Sequence, residues 1–161
     1  MKTTSERVDS NFMDLFDALV HEANSSGVEI MYETDLAKVA NFLDRVTPRS
    51  KSRTDKEKLL DYLRIVKETN PSLKENYQLI NKFVEPIVSK MLSKGGYESL
   101  GHWVVYFLIV LVMEGGITIF FRTSIGWSFP YVTLLVFLLA SYKLTKAHLS
   151  CKLLLIHLFK V

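Results

Sequence analysis

Residues 103–121, WVVYFLIVLVMEGGITIFF, form an apolar run of 19 residues with a single charge, Glu114. A helix rises 1.5 Å per residue, so this run reaches about 29 Å, close to the roughly 30 Å of a bilayer's hydrocarbon core. A helix apolar on every side is either buried in a large protein or sits in a membrane. A chain of 161 residues has little else to cover it with. The run therefore reads as a transmembrane helix, and the chain from about Gly101 onward as its membrane part.

Charge divides the chain at the same place. Residues 1–100 carry 15 Lys/Arg and 16 Asp/Glu, whereas residues 101–161 carry 5 Lys/Arg and one acid. A balanced, solvated first part and an apolar second part with basic ends describe a small soluble domain and its anchor. Residues 1–10 are polar and lack the apolar stretch of a secretory signal peptide, so the soluble part is expected on the side where the chain is made.

After the first run, residues 123–128, TSIGWS, read as a short loop, and residues 129–142, FPYVTLLVFLLASY, as a second apolar segment. It is short for a crossing unless Lys143 snorkels. Trp103, Arg122, Trp127, Lys143 and Lys146 occupy the positions of interfacial anchors. Lysines flank both segments while the loop side has only Arg122, so the positive-inside rule places both termini in the cytoplasm. From Lys143 the chain alternates Leu144, Ala147, Cys151, Leu154 and Leu158 with basic and His positions, the pattern of an amphipathic helix lying among headgroups.

In the soluble part, Phe12, Leu15, Phe16 and Leu19 recur at helical spacing behind Ser10, and Leu36, Val39, Ala40 and Leu43 mark a helix over 34–46. Val28 to Met31 could be extended. Residues 47–53, TPRSKSR, read as a basic linker, and Thr54 with Glu57 as the capping box of a third helix. Asn70-Pro71 is a further start signal. Beyond it Leu73, Tyr77, Ile80, Val84, Ile87 and Met91 follow steps of four and three. That is either the core side of a bundle helix or a partner-binding seam. Pro86 should kink or divide this helix, and Gly95-Gly96 should end it.

The sequence thus predicts an all-α chain. Its parts are a soluble bundle of about four helices at 1–98, a first transmembrane helix at 99–122, a loop at 123–128, a second transmembrane helix at 129–145 and an amphipathic tail at 146–161.

Glu114, followed by Gly115 and Gly116, is the residue that most demands a role. A carboxylate in hydrocarbon must be protonated or paired, and glycines admit a second backbone. The readings are an ion or proton path, a contact between helices, or a hydrogen bond inside the hairpin toward Thr133. Other chemistry is sparse. His21-Glu22 lacks the second His of a zinc helix, since position 25 is Ser. One cysteine, Cys151, makes no internal disulfide. Nucleotide-binding and nucleophile-elbow motifs do not occur, and the basic stretch Arg49–Lys58 has no interleaved aromatics for nucleic acid. The expectation is a non-enzymatic membrane protein without cofactor or metal, acting as an interaction module of the immunity, exclusion or adaptor type on another membrane or membrane-proximal protein. The alternative is a membrane-active homo-oligomer that conducts ions or permeabilises the bilayer through the Glu114-containing hairpin.

Overall fold

The computed structural model describes residues 11–46, 48–125 and 131–155. The chain is mostly helical and forms two compact units, one through Gly95 and one from Gly96.

The first unit opens with α1, Phe12–Ser25, which buries Phe12, Phe16, Leu19 and Ala23 in steps of four, three and four. Asn11 takes the N-cap position; the expected cap, Ser10, lies outside the described residues. The helix closes where the hydroxyls of Ser25 and Ser26 both donate to the Glu22 carbonyl and Gly27 turns the chain at φ +73°. Val28 and Ile30 form no strand. They are buried in the connection to α2, Glu33–Arg45, which buries Leu36, Val39, Ala40, Phe42 and Leu43.

The third helix begins earlier than its pattern predicts. α3 runs from Arg49 to Thr69 with Pro48 at its N-cap, so the basic stretch is helix and not linker. Thr54 is exposed inside it and caps nothing, and Glu57 pairs with Arg53 one turn back. Burial explains the extension, because Ser52, Asp55 and Lys56 all lie on the inner face. The Lys56 ammonium sits 5.0 Å over the Phe12 ring and 3.4 Å from Asp44, and Asp55 pairs with Lys90. Partnering of this kind is what lets a charge leave water. Further along, Leu59, Leu60, Leu63 and Val66 are at most 1% exposed, each such burial contributing about 1.5–3 kcal/mol.

At the next junction Asn70 is the left-handed C-cap of α3 (φ 43°), and Pro71 only separates two helices. The start signal belongs to Ser72, whose capping box with Glu75 opens α4, Leu73–Leu79. The Ser72 hydrogen bonds hold the Glu75 carboxyl below the usual carboxylate range. A π-helical turn, Ile80–Val84, comes next and leads into α5, Glu85–Lys94, with Pro86 in its first turn. Proline lacks the N–H that would reach Lys82 and its ring crowds that carbonyl; the wider turn relieves both problems. The expected division at Pro86 takes this form.

The second unit consists of β1, Glu98–Ser99; α6, Leu100–Ile125; α7, Tyr131–Leu149; and β2, Leu153–Leu154. The two short strands pair in parallel, Glu98 opposite Leu153 and Ser99 opposite Leu154. The expected tail helix over 146–161 is therefore not formed in its described part. α7 continues to Leu149, Cys151 turns at φ 54°, and Leu154 is fully buried in the strand pair. Residues 156–161 lie outside the described residues. Of the periodic apolar positions, Ala147 and Leu154 are buried and Cys151 is exposed, so they do not share one amphipathic face.

Tyr62 on α3 donates to the Asn76 side-chain oxygen on α4 at 2.8 Å, with both residues buried. Burial pushes the Tyr62 phenol up to about 12. Tyr62→Phe should destabilise the fold by about 1–3 kcal/mol, because Asn76 loses its partner. The Tyr62 contribution is intact below pH 10.0 and disappears as pH rises toward about 12, where the unfolded chain ionises first. Denaturant titrations of the full chain and the Phe variant across that window should converge at its upper end.

Candidate functional site

The second unit presents its apolar side chains outward. Val112 is 72% exposed and Met113 62%, and Ile109, Leu135, Phe137, Leu138 and Leu139 are all more than half exposed. A soluble monomer rarely shows so large an apolar surface. Among the described residues one helix segment, Val132–Leu149, is long and apolar enough to cross a membrane, with mean hydropathy 1.3; Leu100–Gly116 is a shorter apolar stretch.

Three contacts fix how α6 and α7 run. Lys143 lies 5.4 Å over the Trp103 ring, Phe107 meets Phe137 edge-on at 5.9 Å, and Glu114 reaches Val132 and Thr133. Residue numbers rise on one helix as they fall on the other, so the pair is antiparallel.

Glu114 is where this pairing becomes chemistry. One carboxylate oxygen accepts the backbone N–H of Val132 at 3.0 Å and the other accepts that of Thr133 at 2.6 Å. These are the second and third residues of α7, whose N–H groups have no acceptor within their own helix. A carboxylate from the middle of α6 thus serves as the N-terminal cap of α7, where the helix dipole also favours negative charge. In hydrocarbon, with no water to take those donors, such a cap is worth more than at a protein surface. Of the three readings of Glu114, the hydrogen bond toward Thr133 has a counterpart here in the Thr133 backbone N–H.

The geometry also sets depth. Glu114 lies eleven residues beyond Trp103, about 16 Å along the helix axis. α7 starts beside Glu114 and so pairs with only the first half of α6.

The neighbouring glycines have a different setting. A Cβ built on Gly115 or Gly116 would meet nothing within 4 Å, so neither glycine serves the approach of α7. Among the anchors, Trp103 donates its indole N–H to Glu98 at 3.0 Å and stacks under Lys143. Lys146 is exposed on the last turns of α7. Arg122 lies in α6, and Trp127 lies outside the described residues.

The seam of the first unit separates into two parts. Ile80, Val84, Ile87 and Met91 are at most 2% exposed. As a partner-binding surface those four are corrected to core, since their apolar atoms are already covered. Leu73 is 68% exposed and Tyr77 37%, one helical turn apart on α4. The Tyr77 hydroxyl lies 3.3 Å from that of Tyr32. Tyr32 holds a left-handed backbone, φ 59°, a conformation that costs a residue with a side chain about 1–3 kcal/mol. The hydrogen bond to Tyr77 pushes the Tyr32 phenol up to about 12. Sequence reasoning missed both this tyrosine pair and the capping role of Glu114. Each joins residues far apart in the chain, and only the isolated acid in an apolar run gave any signal.

Among the described residues no group of three or more His, Cys, Asp or Glu stands together to hold a metal ion. Comparison with protein-family models, with curated proteins and with solved structures finds no match.

Glu114→Leu removes both acceptors and should cost the α6–α7 pair about 1–3 kcal/mol. Glu114→Gln keeps one acceptor and should cost less. Denaturant titration in detergent micelles, combined with spin-label distances between the two helices, measures both. In the first unit, Tyr77→Phe should bring the Tyr32 phenol down from about 12 toward 10.0, read by NMR titration of the tyrosine ring carbons.

Proposed function

We propose that the chain is a membrane-anchored, non-enzymatic interaction module of the immunity, exclusion or adaptor type. Its second unit lies in the bilayer as a two-pass helical hairpin, with both termini on the cytoplasmic side. The first unit recognises another membrane or membrane-proximal protein. The single observation that carries this reading is the contrast between the units: one covers its apolar side chains with charged helices, and the other leaves them bare along both helices. Bilayer lipid is the solvent that suits the second arrangement.

Engagement of Glu114 supports an anchor over a channel. Its carboxylate is occupied by two backbone donors of the same chain, which leaves it poorly disposed to pass ions. The open faces of Gly115 and Gly116 favour the membrane-active oligomer, since they leave room for a second copy. On the first unit, Leu73, Tyr77 and the strained Tyr32 mark the surface proposed for the partner. They combine exposed apolar area, aromatic rings and stored backbone strain, features that gather at binding sites.

Crosslinking in native membranes, with identification of the captured protein, tests the reading. A defined partner should be captured by the full chain and lost with Leu73→Asp, while the hairpin and the fold are unchanged. If expression instead collapses the membrane potential and Glu114→Ala abolishes that effect, the oligomer reading replaces this one. Gly115→Ala and Gly116→Ala separate the two further. With no partner helix they should be neutral or stabilise α6 by up to about 1 kcal/mol, whereas a packed oligomer would lose association.

A further inference from the structure

We propose that the cleft at the end of α7 binds the phosphate of an anionic phospholipid with a polyol headgroup, an inference that rests on the membrane reading above. The cleft holds about 340 Å³ and is lined by Gly96, Glu98, Tyr142, Lys143, Lys146 and Lys152, among others. That volume is at the small end of ligand sites, suited to one headgroup. Three lysines and one glutamate are among the lining residues, a formal charge of +2 from these side chains, which suits an anion.

Two of the three cationic groups are held in place by aromatic rings. Lys143 is steered by the Trp103 ring at 5.4 Å, and Lys152 lies 5.8 Å over the Tyr97 ring. Gly96, at φ +66°, allows the Lys152 ammonium to come within 3.7 Å of where a Cβ would stand. Lys146 is exposed and makes no ion pair among the described residues.

Position selects a lipid over a dissolved anion. Trp103 and Tyr142 flank the cleft where the bare apolar surface of the helices gives way to lysines, the level at which aromatic belts meet headgroups. Basic pockets at the ends of membrane helices are the usual seats of anionic lipids. Glu98 then chooses the headgroup. It accepts the Trp103 indole N–H at 3.0 Å and has lone pairs left over, which suit the hydroxyls of glycerol or inositol. A second carboxylate, as in serine, would be repelled by Glu98. A choline would bring its own cation among the lysines.

Native mass spectrometry of the full chain, released from micelles containing equal phosphatidylglycerol and phosphatidylcholine, tests the site. Phosphatidylglycerol should be retained about tenfold over phosphatidylcholine, and Lys146→Gln should reduce that preference about fivefold, the effect expected of one lysine near a lipid surface. Equal retention of the two lipids, or a preference untouched in the combined K143Q, K146Q and K152Q variant, overturns the proposal. So does displacement of the lipid by glycerol 3-phosphate at matched concentration, which would identify a solute site. Alkaline carbonate extraction of membranes from cells expressing the full chain decides the anchor separately. Protein that leaves the pellet sinks the membrane reading, whereas protein that stays without lipid preference sinks the headgroup site alone.

Discussion

The carboxylate of Glu114 on the first backbone donors of α7 is the contact on which the second unit depends. The leading N–H groups of a helix have no acceptor within it, and here two of them find one in the middle of the preceding helix. Once Val132 and Thr133 are fixed beside Glu114, the antiparallel register is set. Phe137 falls opposite Phe107, Lys143 opposite Trp103, and the end of α7 arrives level with Glu98, where β2 can pair with β1. The polar group that looked most anomalous in the sequence is thus a structural part.

The first unit handles charge by another route. It has enough apolar surface for a core, yet it also draws Lys56 and Asp55 inward. Each has a partner on a different helix, Asp44 for Lys56 and Lys90 for Asp55. Such pairs add little net stability compared with well-packed apolar residues, but an unpaired partner would be costly. Their effect is to fix the start of α3 against its neighbours, which is why a stretch rich in Lys, Arg and Ser is helix from Arg49 onward.

Helical character and the division into two units were legible in the sequence because both rest on local pattern: the repeat of Phe12, Phe16 and Leu19, the repeat of Leu36, Val39 and Leu43, and the apolar run after Trp103. Errors arose where a local signal competed with tertiary contact. Thr54 and Glu57 have the letters of a capping box, but the buried Ser52 carries the helix past them. Asn70-Pro71 resembles a start, yet the N-cap is Ser72, two residues after Asn70, and Ser72 and Glu75 make the reciprocal bonds. The apolar repeat after Lys143 suits a surface helix, but Leu154 has a strand partner fifty-odd residues upstream that no local window contains. The candidate site obeys the same rule. Glu114 stood out by its chemistry and Thr133 was among its candidate partners, while the backbone N–H groups that it accepts emerged only once the helices were paired.

The π-helical turn before Pro86 has a consequence for direction. One surplus residue in a helix rotates the turns on its N-terminal side by roughly 100° relative to the turns on its C-terminal side. The heptad of Leu73, Tyr77, Ile80, Val84, Ile87 and Met91 is regular as a string, but the chain does not keep it on one side. Its later members turn inward and Leu73 and Tyr77 emerge at the surface. A proline thus divides a single apolar repeat: the stretch from Ile80 to Met91 holds the bundle together, and Leu73 and Tyr77 are left at the surface.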